Sequence, residues 1–194
     1  NAHNAKATFF CIGDNVTKYP AIFNKVIAAS HGIGNHTFSH YNGWKTSVKN
    51  YTKDIEKCAA VLESHLPGFV PLFRPPYGRI NRFVYRKLIH YTPIYMWSFI
   101  SGDYNRKNNP NTILKSAKKN IRHGSILIFH DSKKAFPVLS NILEPILLYG
   151  TQNNYQFKTG YHHVQMFVTI GILLLRWKYM HAEYVSSKRS TINS

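Results

Sequence analysis

The stretch "KATFFCIGDNVTKYPAIFNKVIAASHGIGN", residues 6 to 35, decides the fold. Its opening, Lys6 to Gly13, is rich in β-branched and aromatic residues and ends on glycine, the pattern of a strand. From Asp14 to Ser30, Val16, Tyr19, Ile22, Phe23, Val26 and Ile27 recur at helical spacing, with Asp14 or Asn15 placed to cap the helix. "HGIGN" then gives a second short strand. Strand, helix, strand in so few residues is the unit from which parallel sheets are built.

The alternation continues outward. A long helix is expected from about Thr46 to His65, with Val48, Tyr51, Ile55, Cys58 and Leu62 along one face. "PLFRPPYG" (71–78) reads as a strand breaking into a turn, because its prolines exclude helix and Gly78 permits an unusual backbone angle. "RINRFVYRKLIHY" (79–91) is helical, "IYMWSF" (94–99) a buried strand, and "PNTILKSAKKNIRHG" (110–124) a helix with proline at its start and glycine after its end. "SILIFHDS" (125–132) is another buried strand, and "FPVLSNILEPILLYG" (136–150) a helix despite Pro145. The whole predicts an α/β architecture, layered or barrel, with a mostly parallel sheet and helices outside it.

With 194 residues and 44% hydrophobic content, the chain is sized for one globular domain. Lys and Arg number 25 against 8 Asp and Glu, a net charge of +17, which suits an anionic partner such as nucleic acid, a phosphate-bearing cell-wall polymer or a lipid surface. The basic residues are scattered rather than gathered in a run, and no nucleic-acid motif accompanies them, so a solvated basic surface is the default reading. Cys11 and Cys58 stand in no metal-ligand spacing and leave one disulfide or two buried thiols equally open. The sequence opens on Asn1 with no signal peptide in view, the mark of a fragment. "MFVTIGILLL" (166–175) is roughly half of what a helix needs to cross a bilayer, so no transmembrane span is expected.

In α/β folds, functional residues sit where strands end. His36 and His40, Arg74 and Tyr77, Asp103, His130 and Asp131 all follow expected strands, and so converge on one rim. An i, i+4 histidine pair on a helical turn suits Zn²⁺. Among 11 histidines, however, that spacing alone also fits two ordinary polar residues at a helix start. Asp131 reads as a cap for the following segment, and Tyr41, Trp44 and Tyr104 fall near the same rim, with simple packing as the default for each.

The ordered set "ATFFCIGDNV", "HTFSH", "RPPYG", "WSFISGDY" and "ILIFHDS" closely resembles the NodB-type polysaccharide deacetylases, carbohydrate esterase family 4, over roughly residues 1 to 160. The resemblance implies a deformed, incomplete (β/α) barrel. It also implies divalent-metal-dependent removal of acetyl groups from a polysaccharide, outside the cell or in its envelope, with zinc the expected metal. Peptidoglycan or chitin, both N-acetylglucosamine polymers, or acetylated xylan would be the substrate. By this resemblance His36 and His40 are metal ligands, and the Thr37 hydroxyl steadies their loop. Arg74 holds the catalytic carboxylate, and Tyr77 offers a backbone N–H to the oxyanion. Trp97 and Ile128 wall the acetyl methyl, Asp103 orients the machinery, and His130 is the general acid.

The family's first motif, a Thr-Phe-Asp-Asp-Gly strand supplying the base and a carboxylate ligand, is not among these residues. No third protein ligand is therefore expected from this chain, and with it only weak metal binding and little activity. Either the chain is truncated or it is a degenerate relative that binds glycans without cleaving them. The intact Arg74, His36, His40 and His130 favour truncation. Residues 161–194 match nothing in the family and read as an extension of unknown role.

Overall fold

In the computed structural model, which describes residues 3–68 and 72–161, strand and helix alternate as the pattern requires. β1 (Thr8–Cys11) pairs in parallel with β2 (Gly32–Asn35), Thr8 opposite Gly32 and Cys11 opposite Asn35. The sheet continues through single parallel bridges from Asn35 to Phe73 and from Phe73 to Ile94. A second parallel pair joins β3 (Phe99–Ile100) to β4 (Leu127–Ile128). These are wall segments of a deformed, incomplete (β/α) barrel.

Two strands are shorter and less buried than their composition suggests. "IYMWSF" contributes a bridge at Ile94 and the start of β3, and Met96 is exposed. The carbonyls of Tyr95 and Met96 accept from the Arg74 guanidinium rather than from a neighbouring strand. "SILIFHDS" keeps only Leu127–Ile128 as strand, because the His130 N–H just beyond is taken by the side chain of Asp103.

The helix read across Asp14 to Ser30 is two helices, α1 (Gly13–Lys18) and α2 (Pro20–Ala28). Tyr19, at φ −131°, ψ 54°, breaks it, since a residue before proline is pushed out of the α region. Neither Asp14 nor Asn15 caps α1. Ile12 holds that position without a side-chain bond, and Asp14 pairs with Lys18 instead.

α3 (Val48–His65) is capped by Ser47, whose hydroxyl accepts the Asn50 N–H, a contact worth about 1 kcal/mol. It buries Tyr51, Ile55, Cys58 and Leu62, and Asp54 among them. α4 (Arg82–Leu88) and α5 (Pro110–Asn120) are capped by Asn81 and Asn109, and α6 (Phe136–Gln152) carries Pro145 within it. Its start is held by the Ser132 hydroxyl, which accepts the Ala135 N–H, so the capping role expected of Asp131 falls to its neighbour.

Ile113, Ala117 and Ile121 pack on Val138, Ile142 and Ile146 in one core. A second core, Val16, Phe23, Ile33, Cys58 and Leu62, lies between the first helices and strands. Cys11 and Cys58 are free thiols there, and Cys58 Sγ lies 3.5 Å from the Cys11 carbonyl oxygen. Burial pushes both thiols up to about 12. The apolar run 166–175 and the rest of the expected extension from 162 lie outside the described residues. Among the described residues no helix is long and apolar enough to cross a membrane.

Candidate active site

β2 ends at Asn35, and the histidine motif follows as a loop rather than the helical turn its spacing suggests. Thr37 (φ 65°) and His40 (φ 57°) are both left-handed, a conformation costing roughly 1–2 kcal/mol per non-glycine residue. The loop persists because its polar groups are tied on several sides. Asn35, buried, accepts the Thr37 N–H at 2.8 Å and donates to the Ile55 carbonyl at 2.9 Å. Asp54, buried on α3, accepts the Ser39 N–H at 2.9 Å and the Ser39 hydroxyl at 2.8 Å. The Gly13 N–H reaches the Thr37 carbonyl and the Phe38 N–H the Asp54 carbonyl. The Thr37 hydroxyl, expected to steady this loop, is buried and has no hydrogen-bond partner among the described residues; the threonine's backbone ties the loop instead.

The loop sets the His36 and His40 rings 5.0 Å apart, edge to face. His36 donates Nδ1–H to the Arg74 carbonyl at 2.6 Å, which leaves Nε2 with its lone pair. Burial pulls His36 down to about 3, and burial together with the charge of His130 pulls His40 below its ordinary value. Both rings are therefore neutral near pH 7, the form that ligates a metal. Two neutral imidazoles fit zinc in donor chemistry. A catalytic zinc takes three protein ligands, and among the described residues no group of three His, Cys, Asp or Glu is arranged to hold an ion.

Arg74 leaves the bridge at Phe73 and turns inward. Its guanidinium carbon lies 3.9 Å over the Phe10 ring, its Nε donates to the Tyr95 carbonyl at 3.0 Å, and one Nη donates to Met96 at 3.4 Å. Burial pulls it down to about 10, so it stays charged at neutral pH. The carboxylate expected beside it is absent: among the described residues no acid pairs with Arg74, and backbone carbonyls take its hydrogens.

Tyr77 follows in a tight 3₁₀ turn, Pro76–Gly78, at φ 58°. Its ring lies 4.8 Å from that of His40, and its N–H reaches no acceptor among the described residues. Gly78 is left-handed and has the Trp97 indole against it, where a Cβ would collide. Trp97 thus joins the rim at this turn, while Ile128 is buried on β4, two residues before His130.

Asp103 is fully buried and binds His130 twice. Oδ1 accepts the ring Nδ1–H at 2.7 Å and Oδ2 the backbone N–H at 2.8 Å. Burial alone would raise this carboxyl, but the His130 bonds outweigh it and hold Asp103 below its ordinary value. The His130 ring is left with Nε2 as its free edge, and the Tyr104 ring stands 4.9 Å away. A charge on His130 lowers both His36 and His40, so the two histidine sites lie within electrostatic reach of each other.

Sequence reasoning missed Asn35 and Asp54. Asp54 carried a readable sign, a carboxylate inside the apolar stripe of Tyr51, Ile55 and Cys58. Tyr41, Trp44 and Tyr104, for which packing is the default reading, are 45%, 68% and 43% exposed, and Tyr104 stands against the His130 ring.

The family Polysaccharide deacetylase matches residues 1–95. A peptidoglycan-N-acetylglucosamine deacetylase of Bacillus cereus is 30% identical over 162 residues, 81% of this chain and 74% of that protein. A second Bacillus cereus protein of the same name is 35% identical over 133 residues, 67% of this chain; the chain spans about half of its length, 47%. The crystal structure of the Bc1960 peptidoglycan N-acetylglucosamine deacetylase superposes with a TM-score of 0.76 at 28% identity, covering 82% of this chain and 75% of that one.

Proposed function

The chain belongs to the polysaccharide deacetylase family, and from that premise we propose that residues 1–160 form a metal-dependent hydrolase domain that removes acetyl groups from a polysaccharide. An N-acetylglucosamine polymer such as peptidoglycan or chitin is the substrate that the relatives' names favour, with acetylated xylan the alternative, and the cell envelope or its exterior is the place. The observation that carries the reading is one rim holding two neutral histidines beside a third that is locked to a buried carboxylate.

His36 and His40 would hold zinc through the ring nitrogens left free by their surroundings. Zinc, when bound there, lowers the pKa of a water to about 7 and polarises the acetyl carbonyl. The Tyr77 N–H, which has no acceptor among the described residues, hydrogen-bonds the oxyanion as the acetyl carbon becomes tetrahedral. His130 delivers a proton from Nε2 to the leaving nitrogen, and Asp103 fixes the tautomer and stabilises the charged ring. Trp97 and Ile128 give the acetyl methyl an apolar wall. The reaction further needs a base and a third ligand; among the described residues no acid stands against Arg74 and no three-ligand group is present.

A second reading, a catalytically silent glycan-binding protein of the same fold, is favoured by one observation: the Arg74 guanidinium already donates to two carbonyls. Lengthening the chain at its amino end with a strand carrying Asp-Asp, then measuring acetate release from an N-acetylglucosamine hexamer in zinc, separates the two. Release that is lost in His36→Ala supports the hydrolase. No release, from a protein whose zinc uptake is intact, supports the silent binder.

A further inference from the structure

Trp44 is 68% exposed, an unusual place for an indole that has no core to fill. It is nonetheless fixed. Its backbone N–H is accepted by the Asn42 side-chain oxygen at 3.0 Å, and the Lys45 backbone N–H by the Asn42 main-chain carbonyl at 3.0 Å. Gly43 backs directly on the Arg79 carbonyl and the Tyr51 ring, where any Cβ would collide. The tip that presents Trp44 is thus seated on the segment that carries Arg79.

Arg79 in turn lies 5.0 Å over the Trp44 ring. Three residues on, Arg82 lies 4.7 Å over Phe83, itself 54% exposed. Neither arginine has a carboxylate partner among the described residues. Trp44 follows His40 by four residues and Arg79 follows Tyr77 by two, and the His40 and Tyr77 rings are 4.8 Å apart, so the first pair begins where the catalytic rim ends and the second follows it along the chain at the start of α4.

We infer that Trp44 and Phe83, with Arg79 and Arg82 over them, form an outer binding platform for a glycan strand whose sugars carry carboxylate groups. The inference rests on the polysaccharide reading above and narrows it to an anionic strand. An aromatic face takes the C–H face of a pyranose. A guanidinium held over that face adds a forked donor that matches a carboxylate. A neutral polymer needs only the aromatic; an unpaired arginine at each of two exposed rings is what a carboxylate-bearing sugar calls for.

The test is calorimetric titration of the full chain at low ionic strength with three probes: an N-acetylglucosamine hexamer, the same hexamer O-carboxymethylated, and poly-glutamate. The expected result is about tenfold tighter binding of the carboxymethylated hexamer than of the neutral one. Arg79→Gln with Arg82→Gln brings the two within about twofold, and Trp44→Ala weakens both by about tenfold. All three residues are exposed, so the variants keep the fold, which circular dichroism checks. Equal affinities in the unaltered chain overturn the platform. So do a preference that survives the double substitution, failure of both hexamers to bind, or poly-glutamate binding as tightly as the anionic hexamer with Trp44→Ala silent.

Turnover is not needed for this readout. Anionic preference in a chain whose lengthened form releases no acetate sinks the hydrolase and leaves the platform. Acetate release without charge preference does the reverse.

Discussion

His36 and His130 each donate Nδ1–H to an oxygen at nearly the same distance, but the oxygens differ. His36 gives its hydrogen to the uncharged carbonyl of Arg74 at 2.6 Å, and His130 to the carboxylate of Asp103 at 2.7 Å. Around His36 the protein removes water, and the ring is driven neutral. Around His130 it places an anion that remains ionised in spite of full burial. Under the proposed function the same side chain serves as a lone-pair donor in one region and a proton carrier in the other, and burial in the first against a paired carboxylate in the second is what separates them.

If that division is right, zinc uptake by the chain disappears in a His36→Ala/His40→Ala variant and stays within about twofold in His130→Ala, as calorimetry would record. Equal losses in both would erase the distinction between the regions. The histidine loop depends on Asp54, so Asp54→Ala, which strands the Ser39 N–H, is expected to cost about 3 kcal/mol in chemical denaturation. The second region depends on one acid, and Asp103→Asn is expected to cost about 2 kcal/mol at neutral pH. Because Asp103 is depressed in the fold, its contribution is present above the ordinary value of 3.8 and fades as pH falls through the lower folded value. The gap between Asp103→Asn and the unaltered chain should therefore close in that acid range.

His36 has a pH dependence of its own. Neutral in the fold down to about 3 and titrating near 6.5 when unfolded, it leaves stability intact above 6.5 and erodes it as pH falls towards 3. The slope is about 1.4 kcal/mol per pH unit for one proton, and His36→Asn, which keeps a donor for Arg74, should remove it from a series of denaturation curves. An unchanged slope would mean that burial does not set the ring's charge. Smallest of all, Tyr77→Phe should shift stability by under about 0.5 kcal/mol, because the group assigned a role there is the backbone N–H.

Much of this was legible from the chain. α3 and α5 are readable from apolar spacing and caps, and the strand-end rule picks out residues that touch in the fold, His36 with His40 and Arg74, His40 with Tyr77, and Asp103 with His130. What stayed hidden was partnership. Spacing places His130 and Asp103 near each other but cannot say that both carboxylate oxygens are spent on one histidine. The histidine loop looked helical because a period of four is shared by a helical turn and by a loop with two left-handed residues. Tyr19 was readable in hindsight, since Pro20 forbids the helix that the apolar pattern supports. That the Arg74 guanidinium donates to the Tyr95 and Met96 carbonyls is equally unreadable in the sequence, because spacing does not say which backbone groups a side chain takes.

The two thiols add a clock to the molecule. At about 12, Cys11 and Cys58 hold roughly one thiolate in 10⁵ at neutral pH, so an alkylating reagent finds almost nothing to attack while the fold is closed. Cys58 sits on α3, one turn from Asp54. Its labelling half-life, followed by mass spectrometry, counts how often that helix lifts away, and so how long the histidine loop keeps its anchor between openings.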